Sequence, residues 1–597
     1  MNFILKLFFA LKNLVKLIIS YISWKLRREN GNQIYNVILK LIKSSSTSIK
    51  DKQLKNLNLL PKSLLFQWRS ILRNSDVEYK VISNPEKIVF VPFNGFGEAD
   101  LAVSSIFGKY FQMNGHDVSI MYCGSALPCC GWNEYGNGKL EDIFFPKRFE
   151  FNKLDRCKSC YSEIHQLYPE LKIKLNSLNE FILDDDLSFS TEYADKFIDM
   201  KNFKKEIYFE GLRVSEHAYS STLRKLLRGD LLQDKETFSM YRRFLISSIL
   251  YVKLLQRFFD KVKPSKIICN HGIYLEHGTL VDFCKLKKIN CIVYGFPYRK
   301  NTLMSAHNDT YHRDYLSEPN SRWENLQLDG NQVKILDEYM NSKVSGGRDN
   351  VNYHPNPIID KKKLFEKIGI KINEQYDCIL TNTLWDAQIF YSSNIFTSML
   401  DWLYQSIEFY KLNPDKNLVI RIHPAESKAG FSTNQPVYNE IISKFPELPQ
   451  NVFIVKAESD ISTYTLIENA NLTIIYGTNA GLEAAYRGKP LIVAGESNSR
   501  GKGFGLDVNS KEEYFKTLKS GKIDNYEKNI AQQRAIKYCY HLFFRRWYET
   551  SELFEYELMQ LRQINIKFKS LKDLQENKFL KQYLDCLINN KPFEFEC

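Results

Sequence analysis

The chain has 597 residues, 44% hydrophobic and 25% charged, which excludes a disordered or fibrous chain and points to two or three folded domains with appendages. A formal net charge of +13 leaves nucleic acid, anionic membrane and anionic substrates open, and its placement narrows them. Six positives, Lys6, Lys12, Lys16, Lys25, Arg27 and Arg28, precede the first acidic residue; elsewhere the charges are mixed and no basic and aromatic recognition motif appears, which argues against a nucleic-acid partner.

At ~100° per residue, Asn2, Lys6, Lys12, Asn13, Lys16, Ser20, Ser23 and Arg27 share one arc, with Phe, Leu, Ile and Val filling the rest. This predicts a basic amphipathic helix over residues 1–30. Lysines break every apolar run before the ~18 residues a spanning helix needs, and no small-residue cleavage site follows. The expected placement is peripheral, on anionic lipid of the cytoplasmic leaflet, with Tyr21 and Trp24 at headgroup level. A helix docked on the protein's own body is the alternative. Residues 31–80 read as helical, with a break at Leu59-Leu-Pro61.

A Rossmann-like domain is expected over 81–340. It opens with a strand at Lys87–Pro92, a Gly-rich turn at Asn94-Gly-Phe-Gly97, a helix from Ala99 to Asn114 and a strand at Val118–Met121, a βαβ unit. The turn presents Glu98 and Asp100, either able to take a proton from an acceptor hydroxyl if it reaches hydrogen-bond distance; Glu98 is preferred, with Asp100 also readable as a cap. Cysteines interrupt next. Cys157-Lys-Ser-Cys160 has the two-residue gap of a zinc ligand pair, and Cys123 with Cys130 could complete a structural site, although their spacing is irregular and free thiols are the competing reading. Residues 160–260 have helical spacing and read as an insertion or helical wall. Sheet character returns at Lys266–Cys269, which ends in Asn270-His-Gly-Ile-Tyr-Leu-Glu276, and at Cys291–Tyr294. His271, with Arg299 and His307, is a rival base or donor contact at this strand end.

A linker over 341–360, rich in Gly, Asn and Pro, precedes a second Rossmann-like domain over 361–525. Its strands are expected at Cys378–Leu380, Leu418–Ile422, Val452–Val455, Leu472–Ile475 and Leu491–Ala494, a doubly wound parallel sheet. Thr473-Ile-Ile-Tyr-Gly-Thr-Asn-Ala-Gly-Leu-Glu483 reads as strand, Gly-rich turn and helix, a unit suited to an anion. The spacings of a dinucleotide fingerprint and of a P-loop are both absent, so a sugar nucleotide fits better. Gly477, Thr478 and Asn479 would hold its phosphates, Arg421 and His423 would neutralise the leaving group, Glu483 could bind ribose hydroxyls, and Arg500 and Lys502 could close over the ligand. Residues 526–597 read as a helical C-terminal extension that can cross back onto the first domain. Two such domains facing a cleft define the expected α/β architecture.

Arg421-Ile-His-Pro-Ala-Glu426, Tyr476-Gly-Thr-Asn-Ala-Gly-Leu-Glu483 with Arg487-Gly-Lys-Pro490, Asn270-His-Gly-Ile-Tyr274 and Thr383-Leu-Trp-Asp386 resemble the capsular polysaccharide biosynthesis proteins, which include Kdo transferases. The resemblance covers roughly residues 80–530. It implies a GT-B-like fold, a donor contact at His423 and Pro424, phosphate contacts at Thr478 and Asn479, and a base in the 94–100 turn. Thr478-Asn479 stands where cytidine-donor families carry paired serines, so CMP- and UDP-linked donors both stay open. The expected activity is metal-independent transfer of a sugar to a growing capsular or lipid-linked surface glycan, with no catalytic cofactor. A polyol-phosphate transferase, a sugar-nucleotide epimerase and a non-catalytic glycan-assembly protein are the alternatives.

Overall fold

The computed structural model describes residues 64–73, 77–95, 97–131, 155–351, 357–372, 374–390, 394–428, 433–556 and 564–596. The expected membrane-surface helix over 1–30, with the residues following it to 63, lies outside them. Among the described residues, no helix is long and apolar enough to cross a membrane.

Two sheets organise residues 64–597, which form one compact unit. The first contains β1 (Lys87–Phe93), β2 (Asp117–Tyr122), β3 (Lys174–Ser177), β4 (Lys266–Asn270), β5 (Asn290–Gly295) and β6 (Thr302–His307). The second contains β7 (Tyr376–Leu380), β8 (Asn417–Arg421), β9 (Val452–Val455), β10 (Thr473–Ile475), β11 (Leu491–Val493) and β12 (Leu506–Asp507). A further strand, β13 (Tyr548–Glu549), returns to the first sheet.

The described strands run β13-β6-β5-β4-β1-β2-β3 in the first sheet and β9-β8-β7-β10-β11-β12 in the second. The second is parallel throughout, and the first is parallel from β5 to β3. Residues 88–93 of β1 are all buried, because a central parallel strand is covered on both faces and reads as a continuous apolar run. In each sheet the chain leaves the first strand in one direction and later crosses to the other side, so a switch point falls between β1 and β4 and another between β7 and β10.

The helices that bear on the cleft are α1 (Glu98–Met113), α2 (Val214–Leu226), α3 (Lys235–Val262), α4 (Thr279–Lys287), α5 (Tyr311–Ser317), α6 (Ala480–Tyr486), α7 (Lys528–Tyr540) and α8 (Lys578–Ile588). Helix α3 starts at Asp234, whose side chain accepts from the Thr237 N–H, and its apolar stripe is buried with the first sheet's residues in one core. This accounts for the expected helical wall. The same stretch also holds an edge strand, β3, whose sequence Lys-Leu-Asn-Ser is too short and polar to carry a strand signal.

The C-terminal segment is more than helical. After α7, which packs beside α6, β13 adds to the first sheet antiparallel to β6, and α8 lies on α1. There the Tyr583 ring meets Phe107 edge-on, with centroids 4.8 Å apart. The described residues therefore begin and end on the first lobe, and Gln67 bonds Ile564 and Ile566 through both ends of its amide, each at 2.8 Å.

Candidate active site

Between the sheets lies a cavity of about 1210 Å³, larger than the ~300–1000 Å³ typical of one small-molecule site. Its walls are strand ends: Asn270 and His271 after β4, Phe296 to Tyr298 after β5, Leu380 to Asp386 after β7, His423 and Pro424 after β8, Tyr476 to Ala480 after β10, and Glu496 to Asn498 after β11.

On the first-lobe wall the chain leaves β4 with His271 at φ 61° and Gly272 at φ 72°, a left-handed conformation that costs an L-residue ~1–2 kcal/mol. The turn is pinned on several sides. The His271 N–H donates to the Tyr294 carbonyl (2.8 Å) and the Gly272 N–H to the Asn270 carbonyl (2.6 Å). The Thr310 hydroxyl donates to the His271 carbonyl (2.9 Å). Strain of this kind persists where surrounding structure over-determines it, and such places cluster at functional sites.

Nδ1 of His271 is buried without a hydrogen-bond partner, and so is Nε2 of His312; the two rings lie 5.6 Å apart. Burial, reinforced by His312, Arg224 and His277, pushes His271 well below its ordinary value, and burial brings His312 down to about 4. Both imidazoles are neutral at neutral pH.

The two carboxylates of the preceding turn are placed differently. Glu98 is the first residue of α1 and Asp100 sits in its first turn, and neither is among the residues lining the cavity. Asp100 lies behind His271: its Oδ1 accepts from Asn270 Nδ2 at 2.7 Å and from the Tyr294 hydroxyl at 3.0 Å. Burial pushes Asp100 up to about 6, with the Asn270 and Tyr294 hydrogen bonds limiting the rise. Arg299 donates to the Trp547 carbonyl (2.7 Å) and His307 contacts the Lys591 carbonyl (2.9 Å), so both serve the C-terminal segment.

On the second-lobe wall, Gly477, Thr478 and Asn479 face the cavity. Asn498 Nδ2 donates to Asn479 Oδ1 at 2.7 Å, which leaves Asn498 Oδ1 buried and unpartnered. His423 accepts the Ala425 N–H on Nδ1 at 3.1 Å, so the proton of the neutral ring is on Nε2. Burial, then the Arg421 charge, brings its pKa down to about 4. Pro424 opens the short 3₁₀ turn that this bond caps.

Arg421 also reaches the cavity wall, but its guanidinium is occupied: Nε bonds Thr463 Oγ1 (3.2 Å) and the Nη atoms bond the Lys456 and Ser459 carbonyls. It braces the loop after β9, and burial lowers it to about 10. Glu483 pairs with Lys343 at 3.3 Å, and Lys343 also pairs with Asp349 at 2.7 Å. Against the cost of burial, Tyr339, Glu483 and Asp349 keep Lys343 charged. Arg500 donates to the Val493 and Val508 carbonyls and Lys502 to the Glu318 carbonyl; neither is among the lining residues.

Across the cleft, Arg224 of α2 donates to the Tyr274 hydroxyl (2.8 Å) and to Asp386 Oδ1 (3.2 Å). Its guanidinium lies over the rings of Tyr274 and Trp385 at 4.7 and 5.5 Å. Against the cost of burial, Tyr274 and Asp386 keep it charged. Arg224, His312 and Lys343 were not singled out from sequence. Arg224 sits on a helix with no motif around it, and His312 follows an unremarkable Thr-Tyr pair.

Burial pushes the Cys123 thiol up to about 12 and that of Cys160 to about 11. Cys160 Sγ accepts the Gly95 N–H at 3.0 Å, tying the cysteine helix to the turn after β1. Among the described residues Cys123, Cys130, Cys157 and Cys160 are not gathered as a ligand set; the group that is gathered within 4.8 Å is Glu318, His541 and Glu594. Guanidinium groups already neutralise it, with Arg546 on Glu318 and Arg545 on Glu594, and against burial Arg546 and His541 hold Glu318 down to about 2.

Residues 334–541 match the family model described as capsule polysaccharide biosynthesis protein, in line with the resemblance seen in the sequence motifs. No curated protein matches the chain. Similar solved structures include a beta Kdo 2,4 transferase, KpsC of Thermosulfurimonas dismutans, at 11% identity over 46% of this chain and 79% of that one, with a TM-score of 0.31. The beta Kdo 2,7 transferase of the same organism's KpsC matches at 13% identity over 57% and 89%, with a TM-score of 0.29. A UDP-GlcNAc 2-epimerase from Neisseria meningitidis matches at 11% identity over 76% and 94%, with a TM-score of 0.22. At these scores the fold assignment rests on the two sheets themselves.

Proposed function

We propose that this chain is a glycosyltransferase of capsule or surface-glycan assembly, moving a sugar from a nucleotide-sugar donor to a hydroxyl of a growing polysaccharide or lipid-linked glycan. The observation that carries this reading is the cavity between the parallel strand ends of two sheets, with a neutral His271 whose buried Nδ1 has no partner on one wall. Opposite it, His423 carries its proton on Nε2 beside Gly477 to Asn479.

In the proposed reaction the acceptor hydroxyl loses its proton to His271 as its oxygen bonds the anomeric carbon. The bond from that carbon to the donor phosphate breaks, and the electron pair leaves with the nucleotide. The developing phosphate charge is met by donors already in place, the His423 Nε2–H and the Thr478 hydroxyl among them, so little reorganisation is needed. His271 replaces Glu98 as the base we favour, because it lines the cavity and Glu98 does not. The reaction as drawn uses no metal and no cofactor. We place it at the cytoplasmic face of the inner membrane on the strength of the basic first 28 residues.

The test is a thermal-shift screen with CMP, CDP, UDP and GDP, followed by release of the selected nucleotide from its sugar conjugate. One nucleotide is expected to raise the melting temperature, His423→Ala to weaken that shift, and His271→Ala to preserve it while lowering turnover by about 10²-fold or more. Silence from all four nucleotides would remove the transferase reading.

A further inference from the structure

We infer that Asp100 is a positioning residue: its carboxylate sets the strained turn that carries His271. This rests on the proposed role of His271 as the base.

Two links converge on one oxygen. Asp100 Oδ1 takes the side-chain N–H of Asn270, the residue immediately before His271, at 2.7 Å. It also takes the hydroxyl of Tyr294 at 3.0 Å, and the Tyr294 carbonyl in turn receives the His271 N–H at 2.8 Å. One acceptor at the start of α1 therefore fixes both the residue that enters the turn and the residue that anchors its backbone.

The turn needs such a device. His271 at φ 61° is in a conformation that relaxes unless its neighbours hold it, and its Nδ1 lacks any protein partner that could aim the ring. The backbone sets where the ring starts, and packing against Tyr274, Tyr311 and His312 holds its plane. Asp100 is suited to this because it reaches the turn from behind: it does not line the cavity, whereas Asn270 and His271 both do. Its carboxylate is itself held in position, since Asp100 belongs to α1, whose neighbouring Ala99, Leu101, Ala102 and Val103 are buried in the core of the first lobe.

A positioning role and a merely structural one differ in which substitution rescues. Asparagine keeps a carbonyl oxygen able to accept both bonds, whereas alanine removes them. Misplacing a reacting group by about 1 Å can lower turnover ~10²-fold, and a change confined to the chemical step leaves KM unaltered. Using the full chain and the nucleotide sugar selected by the screen, Asp100→Ala is expected to lower kcat by about 10²-fold with KM unchanged. Asp100→Asn is expected to recover most of it. Asn270→Ala should reproduce the loss, and the double variant Asp100→Ala with Asn270→Ala should lose less than the product of the two single losses.

A second readout does not need activity. With ¹³C-histidine labelling, the His271 Cε1–H resonance, assigned by its disappearance in His271→Gln, should move in Asp100→Ala and return in Asp100→Asn. An unmoved resonance in Asp100→Ala, or an equal displacement in both variants, overturns the inference. A wild-type protein that releases no nucleotide while its His271 resonance follows the expected pattern removes the transferase reading and leaves the positioning of His271 by Asp100 standing.

Discussion

Single residues in this chain show how burial reassigns roles that sequence leaves open. A Gly-rich turn with two acids reads as the source of the general base, yet folding puts Asp100 behind the turn that carries His271 and brings His271 to the cavity. The same physics acts on Glu426, which shares the Arg421 to Glu426 motif. Its Oε2 accepts the Val437 N–H at 3.2 Å, its Oε1 is buried with no partner, and burial pushes its pKa up from 4.5 to about 7. The folded protein therefore holds a proton between these values that the unfolded chain has released, so this group's contribution to stability falls as pH rises through that window. Glutamine mimics the protonated form. Glu426→Gln should match wild type at pH 4 and exceed it at pH 8 by up to ~3 kcal/mol, measured by urea denaturation; equal midpoints at pH 8 would refute the account.

At the level of elements, the strands with continuous apolar runs were readable because parallel strands are buried on both faces, and β1, β4, β7, β8 and β10 lie within a residue or two of their expected bounds. The edge strands β3, β12 and β13 were not, since an edge needs neither length nor an apolar run: β12 is two residues, Leu506–Asp507. At the site, the motifs located His271, His423 and Gly477 to Asn479 on strand ends, but not what their side chains would touch. Arg421 was expected to meet an anion; it lines the cavity, and its guanidinium bonds the Thr463 hydroxyl and the Lys456 and Ser459 carbonyls, partners supplied by the distant loop 456–463. The turn after β4 offers a direct test of the strain argument. A Cβ on Gly272 would stand 3.0 Å from Thr310 Cα and Val293 Cγ1, whereas at Gly211, also left-handed at φ 80°, it would meet only Leu286 at 3.6 Å. Gly211→Ala should cost ~1–2 kcal/mol from conformation alone, and Gly272→Ala that plus ~1–3 kcal/mol from crowding, with turnover falling only in the latter. Equal unfolding midpoints would show that the neighbours of Gly272 yield without cost.

For the whole molecule the decisive feature is that the two lobes are stitched together beside the cleft. Helix α2 ends at Leu227, which is left-handed at φ 52°, and the carbonyls freed there are capped from the other lobe. Asn434 Nδ2 donates to the Leu226 carbonyl (2.9 Å), Thr433 Oγ1 to that of Leu227 (3.0 Å) and the Asn434 N–H to the same group (2.9 Å). Gln435, only 5% exposed, accepts the Gly229 and Asp230 N–H groups on one oxygen at 2.9 and 3.2 Å. The end of α2 is thus completed by the second lobe, and Arg224, on the same helix, pairs across the cleft with Asp386, so the contacts that join the lobes also frame the cavity. Because Gln435 satisfies two otherwise orphaned donors, Gln435→Ala should weaken the lobe contact by ~1–3 kcal/mol. The expected result is a larger radius of gyration by small-angle scattering and slower nucleotide release. Saturating nucleotide should draw the radius of gyration back toward wild type, since a ligand that bridges the walls favours the closed form by its differential affinity. A radius of gyration identical to wild type with and without nucleotide would mean that the stitching at the end of α2 does not control closure.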